Sequence, residues 1–123
     1  MKRKVHEIGR FRELGYEHLP DSPSLRDACG KRTPNDKDKV VRYLRSAVVF
    51  IFSPGVVDDC FDGSYAGSMS LLTDGTYAWP GSLAHYVERY DVVLPEEFER
   101  FMESNGWRVP EGIDPATLIV DTD

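Results

Sequence analysis

LLTDGTYAWPGSLAHYVERYDVVLPEEF, residues 71–98, carries more mutually consistent local signals than any other part of the 123-residue chain. Thr73-Asp74-Gly75-Thr76 is a hairpin turn, because Asp-Gly supplies the positive φ angles that a tight turn needs. Met69, Leu71 and Leu72 precede it and Tyr77, Ala78 and Trp79 follow, so two short strand-compatible arms flank the turn. Pro80 has no N–H for a ladder and ends the second arm; it also suits the first turn of a helix. Leu83, Tyr86, Val87 and Tyr90 then recur at i, i+3, i+4 and i+7, the spacing of one buried helical face. After the apolar link Val92–Leu94, Pro95 opens a second helix. Glu96 and Glu97 sit where its N-terminal dipole favours negative charge, and Phe98, Phe101 and Met102 form its inner face. Gly106 is placed to end that helix in a left-handed conformation, with Trp107 folding back on Met102.

Working outward, Val48 to Phe52 with Ala47 is the longest apolar run. Bounded by Ser53-Pro54-Gly55, it predicts a central strand buried on both faces, with continued helix as the competing assignment. Upstream, Thr33 as N-cap, Pro34 and Asp36 open a helix whose buried stripe is Val40, Val41 and Leu44. Ser22-Pro23 starts a short helix through Leu25 and Ala28 that Gly30 ends. Val5, Ile8, Phe11 and Leu14, spaced by three, permit an amphipathic helix at the N-terminus, weakened by Gly9 and Gly15. Between residues 53 and 63, a single helical turn would point Val56, Val57, Cys60 and Phe61 inward, and residues 64–70 read as a loop. Residues 111–123 form a tail in which Leu118, Ile119 and Val120 can add an edge strand or dock on the core. These elements predict one α+β domain over residues 1–123, a small and mainly antiparallel sheet with packed helices. The expected core includes Val41, Leu44, Val49, Ile51, Leu83, Tyr86, Val87, Phe98, Phe101 and Trp107.

The chain has the length of one domain. No apolar run approaches the roughly 20 residues of a membrane span. No apolar segment follows the basic Lys2-Arg3-Lys4, so no signal peptide is expected and the expected location is cytoplasmic. Cys29 and Cys60 are expected as free, buried thiols. The net charge of −6 conceals an asymmetry. Residues 1–45 hold 12 Lys/Arg against 7 Asp/Glu, a net of +5, while residues 46–123 hold 3 against 14, a net of −11. Either the halves attract each other within the fold, or an acidic face recruits a basic partner.

Motifs of known chemistry are scarce. Asp58, Asp59 and Asp62 form the densest acidic cluster, but the ligand order of a calcium loop is absent, and His6, His18 and His85 lack metal-site spacing. Neither a phosphate-cradling glycine loop nor a nucleophile elbow occurs. Cys60, flanked by acids, is disfavoured as a thiolate. No cofactor or metal is expected. Lys2, Arg3, Lys4, Arg10 and Arg12 give a weak nucleic-acid signal that the acidic half opposes. Two candidate sites remain. One is an acidic surface made by Asp58, Asp59, Asp62, Glu96, Glu97 and Glu99. The other is an aromatic-lined pocket in which Asp74 and His85, with Tyr77 and Trp79, bind or hydrolyse a small ligand.

From Ser53 onward, the turn Thr73-Asp74-Gly75, the pair Trp79-Pro80, the helix Tyr86-Val87-Glu88-Arg89-Tyr90 and the start Leu94-Pro95-Glu96-Glu97-Phe98 resemble a group of short uncharacterised bacterial proteins that share TDG, WP, YVxxY and LPxEF. The resemblance implies no catalytic residues. In size and charge, such proteins are similar to toxin-immunity proteins, which makes a non-enzymatic binder of a basic partner the leading expectation and the pocket the alternative.

Overall fold

The chain turns where Asp74 and Gly75 dictate. β5 (Leu71–Thr73) and β6 (Tyr77–Pro80) pair antiparallel, with Leu72 opposite Trp79 and Thr73 opposite Ala78. Gly75 takes φ +94°, a region that side chains disfavour. The Asp74 carboxylate accepts the N–H groups of Thr76 and Tyr77 at 2.9 and 2.7 Å and the Tyr43 hydroxyl at 2.6 Å. The structure is a computed structural model that describes residues 2–14, 22–30 and 36–120. Thr33 and Pro34 lie outside these residues.

The remaining elements are β1 (Arg3–Glu7), a 3₁₀ turn at Arg12–Leu14, α1 (Leu25–Ala28), α2 (Lys37–Ser46), β2 (Val48–Ile51), β3 (Val56–Asp58), β4 (Tyr65–Ser68), α3 (Leu83–Tyr90), α4 (Glu96–Ser104), a 3₁₀ turn at Pro115–Thr117 and β7 (Leu118–Val120). Five strands form one sheet in the order β2-β5-β6-β1-β7, and β3 and β4 form a separate hairpin. The domain is α+β as expected, but its main sheet is mixed: β1 runs parallel to both β6 and β7, whereas β2–β5 and β5–β6 are antiparallel.

Several local expectations give way to tertiary pairing. The N-terminal segment is strand, because β1 has a ladder on each side to take its backbone groups. Val5 is buried in a small core with Ala78 and Leu118, whereas Ile8 and Phe11 belong to the main one. β2 is a strand but not a central one. It lies at the sheet edge, and Val49 and Ile51 are each 46% exposed. Residues 53–63 form no helical turn, and residues 65–68 are β4 rather than loop. Pro80 stays in β6, and α3 starts only at Leu83.

The proline-started α4 agrees with its sequence. Gly106 N–H donates to the Glu103 carbonyl and Trp107 N–H to that of Met102, both at 2.9 Å, the paired bonds of a Schellman ending. Trp79, Tyr43, Tyr86, Phe98, Leu44 and Leu83 are fully buried between the sheet and the helices. Trp79 Nε1 donates to the Leu44 carbonyl at 3.2 Å, which satisfies its one donor. Phe101 and Trp107 are half-buried at the margin of this core. The C-terminal segment docks through β7 at the other edge of the sheet.

Candidate functional site

β3 and β4 pair with Val56 opposite Ser68 and Asp58 opposite Tyr65, and the register shifts between Val57 and Asp58. The loop that joins them folds onto α3. Asp59, counted with the acidic surface in the sequence, is instead only 2% exposed. One carboxylate oxygen accepts the N–H groups of Phe61 and Asp62 at 2.7 and 3.2 Å. The other meets His85 Nε2 at 2.8 Å and the Tyr90 hydroxyl at 2.6 Å. Burial alone would push this carboxyl up. The hydrogen bonds from Tyr90, His85, Phe61 and Asp62 outweigh it and hold Asp59 well below the usual carboxylate range. The same bond to Asp59, with burial second, pushes Tyr90 up to about 12.

Other side chains of α3 complete the clasp. The Tyr86 hydroxyl accepts Cys60 N–H at 3.0 Å. Arg89 pairs with Asp62 at 2.6 Å and donates to Ser64 Oγ at 3.0 Å. The Phe61 ring meets Tyr90 edge-on at 5.0 Å between centroids, and the Arg26 guanidinium covers Phe61 from α1. Residues 85, 86, 89 and 90 lie on adjacent i, i+4 rows, so one side of the helix reaches the whole loop. β4 approaches the start of α3 closely: a Cβ on Gly67 would stand 2.9 Å from the Gly81 carbonyl oxygen.

The hairpin so held presents an apolar surface. Phe52 is 74% exposed, Tyr65 65%, Val56 59% and Met69 54%. Phe52, Val56 and Met69 flank the β2–β3 connection, which Ser53 N–H ties to Ser70 Oγ at 3.0 Å and Met69 N–H ties to the Gly55 carbonyl, whereas Tyr65 stands at the other end of the β3–β4 pairing, opposite Asp58. Asp58 is exposed across from Tyr65, and no ion pair to it is found among the described residues. Asp62 is exposed but paired with Arg89. Glu96 and Glu97 are exposed on the first turn of α4, with Glu96 paired to Arg100, and Glu99 is half-buried. The six acids are therefore divided between the hairpin and α4, with Asp59 withdrawn from the surface.

The alternative pocket does not assemble. Trp79 is core, Asp74 is a buried turn residue, and Tyr77 lines a groove with Ile8, Phe11 and Leu94. His85 opens on a different cleft and pairs with Asp59 rather than Asp74. Cys29 and Cys60 are unpaired; Cys60 is exposed rather than buried. Among the described residues, no group of three or more His, Cys, Asp or Glu could share a metal ion, and no helix is long and apolar enough to cross a membrane. No family model, curated protein or solved structure matches the chain. The residues missed from sequence, Phe52, Val56, Tyr65 and Met69, had one available signal. An apolar run without charges fits an exposed edge as well as a buried centre, and only strand order separates the two.

Proposed function

We propose that the protein is a non-enzymatic binding protein that masks a basic protein surface, as a cytoplasmic immunity protein neutralises a toxin domain. The observation that carries this function is the exposure of Phe52, Val56, Tyr65 and Met69 on the β3–β4 hairpin and the link before it, with the exposed Asp58 opposite Tyr65. Exposed aromatic and Met side chains are the composition of an interface core, and a neighbouring acid provides rim charge. The buried Asp59 clasp holds the hairpin in one geometry before binding, which lowers the ordering cost of association. The excess of acid over residues 46–123 favours a basic partner. Two ion pairs, Lys37–Asp91 and Arg45–Glu88, join the basic half to the acidic half, so part of the asymmetry is spent within the fold. A cytoplasmic location is supported by two thiols that stay unpaired.

The test compares wild type with Phe52→Ala and Tyr65→Ala in capture from a native lysate, followed by measured affinity for the captured protein. The expected partner is basic, and each variant binds it at least ~10-fold more weakly with an unchanged melting temperature. Coexpression with that partner should then relieve its toxicity. Undiminished affinity in both variants would remove the patch, and with it this function.

A further inference from the structure

A cleft of about 410 Å³ opens beside the hairpin, where the 3₁₀ turn Arg12–Leu14 comes up to β3, β4 and β5. Leu14, Val57, Leu71 and Pro80 give it apolar walls. Ser82, just before α3, lines it while being only 3% exposed. Its hydroxyl caps no helix N–H and has no hydrogen-bond partner among the described residues, yet it is not sealed from solvent. A hydroxyl on so deeply buried a residue ordinarily has a partner, and the cleft is the open space beside it. Ser68 Oγ, also in the lining, accepts Ser70 N–H at 2.9 Å and keeps a second lone pair.

The charge of this lining has one sign. Glu13 and Asp58 belong to it, and no Lys, Arg or His joins them among the described residues. Glu13 is already engaged at the start of α1, where its oxygens accept Leu25 N–H, Arg26 N–H and the Ser24 hydroxyl, each at 3.0 Å. It adds a fixed negative charge rather than a free acceptor. Asp58 is exposed and has no ion pair among the described residues. The occupant that matches is a cation with several donors, for the Asp58 carboxylate and the Ser82 and Ser68 hydroxyls together. It must also leave water readily to lie against apolar walls. A guanidinium has five donors in a planar fork that fits a carboxylate, and it is weakly hydrated; an ammonium is a compact, strongly hydrated point charge.

We infer that this cleft is the anchor pocket of the docking surface and receives an arginine side chain of the partner, its guanidinium bound by Asp58 and Ser82 and its stem lying along Leu14, Val57 and Leu71. Asp58 and Met69 belong to both the cleft and the exposed surface, so the two are continuous. This rests on the binding function proposed above, but its test needs no partner. n-Propylguanidinium, which reproduces the arginine side chain, is titrated into the isotope-labelled protein while amide resonances are followed. Saturable shifts are expected at Val57, Asp58, Leu71 and Ser82. n-Propylurea, the neutral molecule of the same shape, and propionate should leave these resonances unmoved, and n-butylammonium, the lysine counterpart, should bind more weakly. Ser82→Ala removes a hydroxyl that holds nothing in the free protein, and Asp58→Asn keeps the shape of the side chain and removes its charge. Both should keep the wild-type melting temperature, and each should weaken n-propylguanidinium at least ~10-fold, the loss of one hydrogen bond to a charged group.

No saturable shift in the wild type, an equal response to n-propylurea, or tighter binding of n-butylammonium overturns the arginine pocket. So does undiminished binding by either folded variant. Where a variant fails to fold, the comparison of charged and neutral probes on the wild type still decides. The two proposals fail separately. A silent titration with partner binding still dependent on Phe52 removes only the arginine pocket. A responsive cleft with partner binding indifferent to Phe52 and Tyr65 removes the docking function.

Discussion

Asp59 shows how one side chain can be decided by its surroundings. Its neighbour Asp58 has the same chemistry and is exposed, whereas Asp59 is enclosed and accepts four hydrogen bonds. The folded-state carboxyl lies below its ordinary value. The stability it contributes is therefore complete above the unfolded value of about 3.9 and is lost as pH falls below that point. Urea midpoints measured from neutral pH downward should fall steeply for wild type. Asp59→Asn should start about 2–4 kcal/mol less stable and show a shallower acid slope. On the alkaline side the sign reverses. Tyr90, pushed up to about 12, keeps its proton longer when folded than unfolded, so its contribution is lost as pH climbs from the ordinary tyrosine range toward that value. Tyr90→Phe should remove this alkaline loss. Equal slopes in variant and wild type would mean that the clasp is not what titrates.

At the scale of elements, the β3–β4 hairpin is attached to α3 by contact at two places: the Asp59 loop and the passage of β4 over the start of the helix. The second needs glycine. Gly67 has φ +146°, and a methyl there would meet the Gly81 carbonyl oxygen at 2.9 Å and Ser82 Cα at 3.1 Å, both backbone atoms that cannot swing away. Gly67→Ala should cost about 2–4 kcal/mol through strain and overpacking. Gly63, in the same hairpin, has φ +77° and nothing within 4 Å of a Cβ. Gly63→Ala should lose only the backbone preference, roughly 1–2 kcal/mol. Chemical denaturation of the pair separates close approach from conformation; equal losses would show that β4 does not bear on α3.

For the molecule as a whole, the proposed binding function assigns charge and apolar exposure to different steps. On that proposal, rim acids such as Asp58 steer the encounter, whereas Phe52 and Tyr65, exposed in the free protein, become the anchors of the complex. The Debye length shortens from about 30 Å at 0.01 M salt to about 8 Å at 0.15 M. Association with the captured partner should therefore slow across that range and dissociation should change little. Asp58→Lys should lower the on-rate and flatten its salt dependence. Reversal of Asp59 is a different experiment, because it places a cation among donors in a closed site and unfolds the hairpin. An on-rate indifferent to both salt and Asp58→Lys would exclude the hairpin acid as the steering charge.

The sequence by itself determined those features whose cause is local. The Asp74-Gly75 turn needs only a positive φ and a short acceptor side chain. The helix Leu83–Tyr90 follows from apolar spacing alone, since Pro80 stays in β6; the helix after Pro95 follows from its spacing and its start residues, and the Gly106-Trp107 ending follows from one residue without a Cβ. The α+β class followed from these pieces. Strand order could not, because an apolar run such as Val48–Ile51 has the same composition at an edge as in the middle, and exposure depends on what lies beside it. β1 could not, because its backbone bonds go to strands more than sixty residues away in sequence. The partnership of Asp59 with His85 and Tyr90 could not either. A carboxylate shows no local sign of the donors that will enclose it, and these reach it only after α3 and the hairpin have packed.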